Sequence, residues 1–131
     1  MINFFSKYKF VFYLYNLILI SFYLFPCSIL GFIINKNCNL QPQLTVDFVV
    51  STNHLYAFLI LSLIGFFTYK KLDKTRKLSI YLIIISIILE ITHHFIPERS
   101  FEYSDLFGNL SGVIIVIILF NLFKKYENLK N

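Results

Sequence analysis

The sequence predicts an all-α polytopic membrane protein that folds as a four-transmembrane-helix bundle. Apolar residues make up 57% of its 131 residues, aromatic residues 19% and charged residues only 15%. Soluble domains contain roughly 45–50% apolar and about 25% charged residues. The apolar residues form four long runs, and the basic residues lie in short clusters between them. This pattern indicates a lipid bilayer as the partner of the chain and argues against nucleic acid, despite the net charge of +5.

The first apolar run covers residues 10–34 and is predicted to be an uncleaved membrane anchor. It is longer than the roughly 7–15 residues of a signal-peptide core, and no small-residue cleavage site follows it. Pro26 should kink this helix, because proline interrupts helical hydrogen bonding. Cys27 lies within the run and Cys38 in the polar stretch after it. We therefore expect different depths for the two cysteines and no disulfide between them.

The remaining spans are predicted at residues 48–69, 78–96 and 105–123, each about as long as a bilayer crossing requires. Pro97 should end the third span, since the residue before a proline avoids helical geometry. Ser104 is a candidate N-cap for the fourth helix, where Asp105 would interact favourably with the helix dipole.

Lysine and arginine predict the orientation, because they concentrate in cytoplasmic loops. In a four-span arrangement ten of the twelve lie on one side and only Lys36 and Arg99 on the other. The ten are Lys7, Lys9, Lys70, Lys71, Lys74, Arg76, Lys77, Lys124, Lys125 and Lys130. The protein is thus predicted to be a multi-pass cell-membrane protein with cytoplasmic N- and C-termini.

Ionisable residues within membrane spans are costly and commonly functional. Candidate binding residues fall at the predicted outer ends of three spans: His54, Glu90, His93, Arg99, Asp105 and Asn109. Helical spacing places Glu90, His93 and Pro97 on one face, so the polar faces of the three spans would converge at one depth. Of the adjacent His93 and His94, one should be solvated.

Three further residues are assigned packing or pairing roles. Gly108 and Gly112 are four residues apart, a spacing that lets another helix approach closely. Arg99, in the turn between the third and fourth spans, is the expected partner of a carboxylate. Glu90 and His93 also have a spacing found in metal sites of helical bundles. That spacing alone is weak support, and we predict no metal ligand and no cofactor.

Residues 89–112 resemble the VanZ-like family of integral membrane proteins. The family pattern E-x-x-Q-x-x-x-P-x-R followed by D-x-x-x-N-x-x-G is matched by Glu90, Pro97, Arg99, Asp105, Asn109 and Gly112. His93 replaces the usual glutamine of that pattern. An earlier family motif is matched by His54 and Phe58, whereas Val50 and Ser51 stand where the family has Asp-Lys.

The resemblance implies a cell-envelope membrane protein and assigns no reaction, although the family's founding member lowers susceptibility to the antibiotic teicoplanin. The leading hypothesis is a non-enzymatic protein that binds a polar headgroup or lipid-linked envelope precursor at the outer face. One alternative is a membrane enzyme using Glu90, His93 and Asp105 on a lipid-linked substrate. Others are a small transporter and a structural assembly subunit. The sequence identifies no catalytic residue and no oligomeric state.

Overall fold

The computed structural model describes residues 4–47, 49–70 and 74–130, with side chains from residue 8 onward. These residues form helices and no strands, which confirms the all-α class. The helices are α1 (Phe4–Leu24), α2 (Ile29–Asn35), α3 (Thr52–Tyr69), α4 (Thr75–Thr92) and α5 (Tyr103–Lys130), with a short 3-10 helix, His93–Phe95, after α4. Phe48 and Lys71 of the sequence predictions lie outside the described residues, as does the side chain of Lys7.

Three helical segments are long and apolar enough to cross a membrane: Thr52–Tyr69, Thr75–Phe95 and Tyr103–Lys130. The pair α1 and α2 passes the same test only when taken together. Large apolar side chains such as Phe10, Leu17 and Ile118 are exposed on the outside of the bundle. A continuous apolar exterior of this kind suits lipid rather than water.

The first apolar run folds as two helices, where the sequence predicts one kinked helix over residues 10–34. α1 stops at Leu24, and α2 is bent by 84° relative to it. The break lies where a kink was predicted, because Pro26 has no backbone N–H and keeps Phe25 out of helical geometry. The Ser28 side chain then accepts a hydrogen bond from the Gly31 N–H (3.0 Å) and caps the new helix.

Cys27 and Cys38 form a disulfide, contrary to the prediction of two cysteines at different depths. The bend places Cys27 in the turn after α1 instead of inside a span. The chain beyond α2 folds back, and the Ser28 N–H donates to the Cys38 carbonyl oxygen at 3.2 Å. The two Cα atoms are 5.2 Å apart, within the range of ordinary disulfides.

The other helix ends differ from the predicted ones in detail. α3 begins at Thr52, and α5 runs from Tyr103 to Lys130. Ser104 therefore lies inside the first turn of α5, and its prediction as the N-cap is wrong. The α4 segment ends before Pro97 as predicted, with Ile96 in extended geometry.

Helices α3 and α5 form the most extensive helix pair of the bundle. A Cβ atom at Gly108 would overlap the carbonyl oxygen of Ser51, and one at Gly112 would overlap that of Leu55. The two glycines thus permit backbone-to-backbone approach of the kind that the small-residue spacing predicts. This approach holds the first turns of α3 and α5 side by side, and the Ser51 N–H donates to the Ser104 carbonyl oxygen at 3.1 Å.

The start of α3 is secured by Asp47 from the preceding loop. Its Oδ1 accepts hydrogen bonds from the Thr52 N–H (2.7 Å) and the Thr52 hydroxyl (2.9 Å). The backbone N–H bond, joined by the hydroxyl bond, lowers the pKa of Asp47 below its ordinary value of 3.8. Because Asp47 serves as the cap, the hydroxyl of Ser51 is free to make other contacts.

Replacement of Gly112 by alanine should destabilise the bundle by roughly 1–3 kcal/mol, the usual cost of overpacking. The direction of this stability change is diagnostic, because alanine in an unhindered helix is favoured over glycine by about 1 kcal/mol. Thermal unfolding in detergent measures the effect, with Asn121→Ala on the exposed part of α5 as the propensity control. An unchanged or raised Tm for Gly112→Ala would contradict the close approach.

Asp47 should stabilise the protein in a pH-dependent way. Its folded-state pKa is depressed, so its contribution is complete above the ordinary pKa and is lost as pH falls through the folded-state value. Asp47→Asn cannot ionise, and the Tm difference between the two proteins should therefore shrink as pH falls below about 4. A Tm series from neutral to strongly acidic pH tests this, and a constant difference would refute the role of Asp47.

Candidate functional site

The three polar helix ends meet at one end of the bundle. His54 lies in the first turn of α3, Glu90 near the end of α4 and Asp105 in the first turn of α5. One ligand-type atom from each of these three residues lies within 4.8 Å of the others. The convergence expected from helical spacing is thus present, although these three residues are far apart in the sequence.

Glu90 and His93 form a pair that must share a proton. Glu90 is fully buried and His93 is 1% exposed. His93 Nε2 lies 3.2 Å from the Tyr23 carbonyl oxygen, which only accepts, so this nitrogen carries a hydrogen. His93 Nδ1 lies 3.3 Å from Glu90 Oε1. This contact requires a proton on Nδ1 or on the carboxyl group, and in either case the pair carries no net charge.

His54 contacts both Ser51 and Asp105. The Ser51 hydroxyl lies 2.8 Å from His54 Nδ1. His54 Nδ1 is 3.5 Å from Asp105 Oδ1. In a Ser-His-Asp relay the serine and the aspartate contact opposite nitrogens of the imidazole. Here both contact Nδ1, so the three residues do not have the geometry of that relay.

Helix α1 contributes to the site, which corrects its prediction as a plain anchor. The ring of Tyr23 stacks on the imidazole of His93 with centroids 5.3 Å apart, and its edge packs against His54. Its hydroxyl donates to Asn109 Oδ1. The Asn109 amide in turn donates to the Ser86 carbonyl oxygen at 3.3 Å. Asn109 therefore links α1, α4 and α5 in the buried interior.

Arg99 pairs with no carboxylate of the described residues, contrary to the sequence prediction. Its guanidinium donates to the carbonyl oxygens of Phe22 (3.3 Å), Phe25 (3.3 Å) and Cys27 (3.1 Å). These carbonyls belong to the last turn of α1 and the bend that follows. Burial lowers the pKa of Arg99 from its usual value, an effect opposed by the negative charge of Asp105. A guanidinium nevertheless stays charged at neutral pH, so it acts as a cationic cap on α1.

Arg99 reaches α1 because the preceding turn reverses the chain. The Arg99 N–H donates to the Ile96 carbonyl oxygen at 3.2 Å, with Pro97 and Glu98 between them. Glu98 has a φ of 63°, a left-handed conformation. Proline followed by a residue with positive φ is typical of a type II turn. Pro97 thus serves both to end α4 and to direct Arg99.

An open polar pocket of about 260 Å³ lies beside this cluster. One wall comes from the disulfide and the chain around it, and the other from residues 98–102. His93 and Asp105 line the pocket together with Arg99, Glu98 and Glu102. The pocket therefore connects the surface to the buried pairs, whereas His94 is exposed and does not line it.

One carboxylate oxygen of Glu90 has no hydrogen-bond partner among the described residues. Its Oε1 accepts from the Glu102 N–H (3.2 Å) as well as contacting His93. Its Oε2 is buried and makes no hydrogen bond to any described residue. With His54 and Asp105, Glu90 forms the group of side chains able to hold a metal ion. The sequence spacing had instead paired Glu90 with His93, whose two nitrogens are both occupied.

Sequence reasoning missed several residues of the site, chiefly Tyr23, Ser51 and Glu102. Tyr23 is one of nine tyrosines and lies near a span end, where tyrosine is an ordinary interface residue. Ser51 sits just ahead of α3 and reads as a helix cap. Glu102 takes part through its backbone N–H, which no side-chain pattern reveals.

No family model, curated protein or solved structure matches this chain.

Arg99→Lys should destabilise the protein by roughly 1–3 kcal/mol, although it keeps the positive charge. An ammonium group is a compact donor on a flexible stem and cannot reach all three carbonyls in the fixed fork geometry. Thermal unfolding in detergent measures the loss, with Lys36→Arg as a control at an exposed cation. A Tm equal to that of the wild type would show that charge alone suffices.

Proposed function

We propose that this protein binds the polar headgroup of a lipid or lipid-linked envelope precursor at the outer face of the cell membrane, without chemical conversion. The observation that carries the proposal is the open polar pocket at the end of an otherwise apolar bundle. Ligand sites are concave and place a few polar groups at defined positions. A polar pocket beside lipid-facing helices can hold the headgroup of a ligand whose tails remain in the bilayer.

The size of the pocket supports a headgroup as the ligand. Its volume of about 260 Å³ is below the roughly 300–1,000 Å³ of pockets that enclose drug-sized molecules. A complete lipid does not fit, whereas a small polar group does. The acyl or prenyl chains would then lie along the exposed apolar side chains of the helices.

The charges around the pocket favour a hydroxyl- or amine-bearing group over a bare anion. Glu98, Glu102 and Asp105 line it, and Arg99 is the cation. Three of the guanidinium's hydrogen bonds already go to backbone carbonyls. Arg99 Nη1 makes no hydrogen bond to the described part of the chain and is the atom available to a ligand phosphate.

Two independent observations support an outward-facing pocket and cytoplasmic termini. Most lysine and arginine residues lie at the opposite end of the bundle, as cytoplasmic segments do. The disulfide lies at the pocket end. Disulfides persist in oxidising, extracytoplasmic compartments, so the two signals agree on one orientation.

Membership of the VanZ-like family belongs to the same proposal and rests on the motif spacing. Of the matching residues, Glu90 and Asp105 lie in one cluster with His54, and Asn109 hydrogen-bonds with Tyr23 and the Ser86 carbonyl. Pro97 and Arg99 form the turn that caps α1. An envelope role, including any influence on antibiotics that act on envelope precursors, is part of this proposal.

The enzymatic alternative finds less support in the geometry. Both nitrogens of His93 are engaged, by Glu90 and by the Tyr23 carbonyl. A general base needs an atom within hydrogen-bond reach of the substrate. Among the described residues, the Ser51 hydroxyl is the only candidate nucleophile that contacts His54. Ser51 is only 7% exposed. Its arrangement differs from a catalytic relay, as described above.

The test is lipid retention in phosphatidylcholine nanodiscs measured by native mass spectrometry. Phosphatidylethanolamine, phosphatidylglycerol and a polyprenyl-phosphate-linked sugar are each added as a minor component. We expect one of them to be retained in preference to phosphatidylcholine. Ser100→Trp, which fills the pocket, should weaken that retention about tenfold or more, equivalent to about 1.4 kcal/mol.

Ser21→Trp is the matched control, since Ser21 is exposed on α1 and does not line the pocket. It should retain lipid as the wild type does. Equal retention by Ser100→Trp and wild type, or no preference among the headgroups, would refute the proposed function.

A further inference from the structure

We propose that His54, Glu90 and Asp105 bind a divalent transition-metal cation of the zinc class. The three residues come from α3, α4 and α5 and offer one imidazole nitrogen and two carboxylate oxygens. Such mixed nitrogen and oxygen sets are used by catalytic zinc sites, which have three protein ligands and one open position. This inference concerns the buried cluster and does not depend on headgroup binding.

The distances fit a metal site after a small contraction. Ligand atoms around a tetrahedral zinc ion, each about 2.0–2.1 Å from the metal, are about 3.4 Å apart. His54 Nδ1 and Asp105 Oδ1 are already 3.5 Å apart. All three ligand atoms lie within 4.8 Å of one another. An ion would therefore draw the ends of the three helices together by about an ångström.

The unpartnered oxygen of Glu90 is the second observation that points to a ligand. Glu90 is 0% exposed, and its Oε2 receives no hydrogen bond from the described residues. A buried polar atom without a partner costs roughly 1–3 kcal/mol, and more when it is charged. A bound cation at Oε2 removes this cost and leaves Oε1 to His93 and the Glu102 N–H.

The electrostatic balance also favours a cation. Among the described residues no lysine or arginine forms an ion pair with Glu90 or Asp105; their ion pairs are with His93 and His54. Two carboxylates close together in a buried site repel each other when both are ionised. A divalent ion balances both carboxylates, and the proton shared by Glu90 and His93 then stays on His93 Nδ1, which keeps its hydrogen bond to Glu90 Oε1.

The site has an outer layer and an entrance. His93 contacts the Glu90 carboxylate and is itself held by the Tyr23 carbonyl, an arrangement that orients metal ligands in known sites. Asp105 lines both the cluster and the open pocket. A hydrated ion could therefore reach the cluster from the pocket.

The test measures zinc affinity of the detergent-purified full chain, carrying an affinity tag other than polyhistidine and with no lipid added. The protein competes for Zn²⁺ with a chromophoric chelator, and elemental analysis gives the stoichiometry. We expect one zinc ion per chain. Glu90→Gln, Asp105→Asn and His54→Gln should each weaken binding by at least about tenfold, the lower end of the loss seen even for outer-shell changes.

Two controls keep the test decisive. His94→Gln and Glu127→Gln alter exposed residues that lie outside the cluster and do not line the pocket, and both should bind zinc as the wild type does. The Tm of each cluster variant in chelator shows that it folds before its zinc affinity is compared with that of the wild type. Zinc should raise the Tm of the wild type and not that of Glu90→Gln.

A zinc content far below one per chain after titration would overturn the proposal. So would equal affinity of the three cluster variants and the two controls. Since lipid is absent, failure here leaves headgroup binding in nanodiscs unaffected, and a failed retention assay leaves the zinc result standing.

Discussion

The burial of the Glu90 carboxyl group is the constraint on which the rest of this end of the bundle depends. A carboxyl group with no exposed surface is tolerated only when its neighbours supply hydrogen bonds or charge. His93 shares a proton with it, and the Glu102 N–H donates to it from the start of the next segment. His93 must then be oriented precisely, and the Tyr23 carbonyl and ring do this from α1. One buried group therefore organises contributions from several helices.

The Tyr23 carbonyl is available to His93 because α1 ends at Leu24, so that no later helical N–H reaches this oxygen. A straight span through residue 34 would carry the backbone of residues 25–28 past the site. The bend leaves the last carbonyls of α1 without helical partners. Arg99 satisfies three carbonyls of this region, and the disulfide fastens the chain that follows. The same turn that ends α4 thereby secures α1, and the pocket lies between these two segments.

Much of the fold could be predicted from the sequence, because apolar runs of this length are typical of membrane-spanning helices. The helical class and three later helices long and apolar enough to cross a membrane follow from those patterns. The spacing of Gly108 and Gly112 indicated a close helix contact, which α3 provides. The 84° bend was not predicted in size, since Pro26 indicates a break without fixing its angle. The disulfide was missed for the same reason: depth assigned along a straight helix is wrong once the chain turns.

The candidate site was predicted in position but not in pairing. Helical spacing groups residues on one face of one helix, so it associated Glu90 with His93. Which groups of different helices meet depends on helix rotation and backbone approach, and Asp105 meets His54 because Gly108 lets α5 approach the start of α3. Arg99 was expected to pair with a carboxylate because of its charge. It donates instead to backbone carbonyl oxygens that lack helical partners where α1 ends. A prediction from charge complementarity alone overlooks the unpaired backbone groups that a bend creates.

The proposed binding pocket is lined by residues that also stabilise the bundle. Between helices in lipid, packing and polar contacts drive association, because lipid tails are as apolar as the side chains. The hydrogen bonds of Glu90, His93 and Asn109 thus help hold the helices together at the end where the pocket opens. Any ligand that contacts His93 or Asp105 alters the balance of these bonds. A ligand that binds the folded bundle and not its separated helices must also stabilise it. Occupancy of the pocket is therefore coupled to how tightly α3, α4 and α5 are joined.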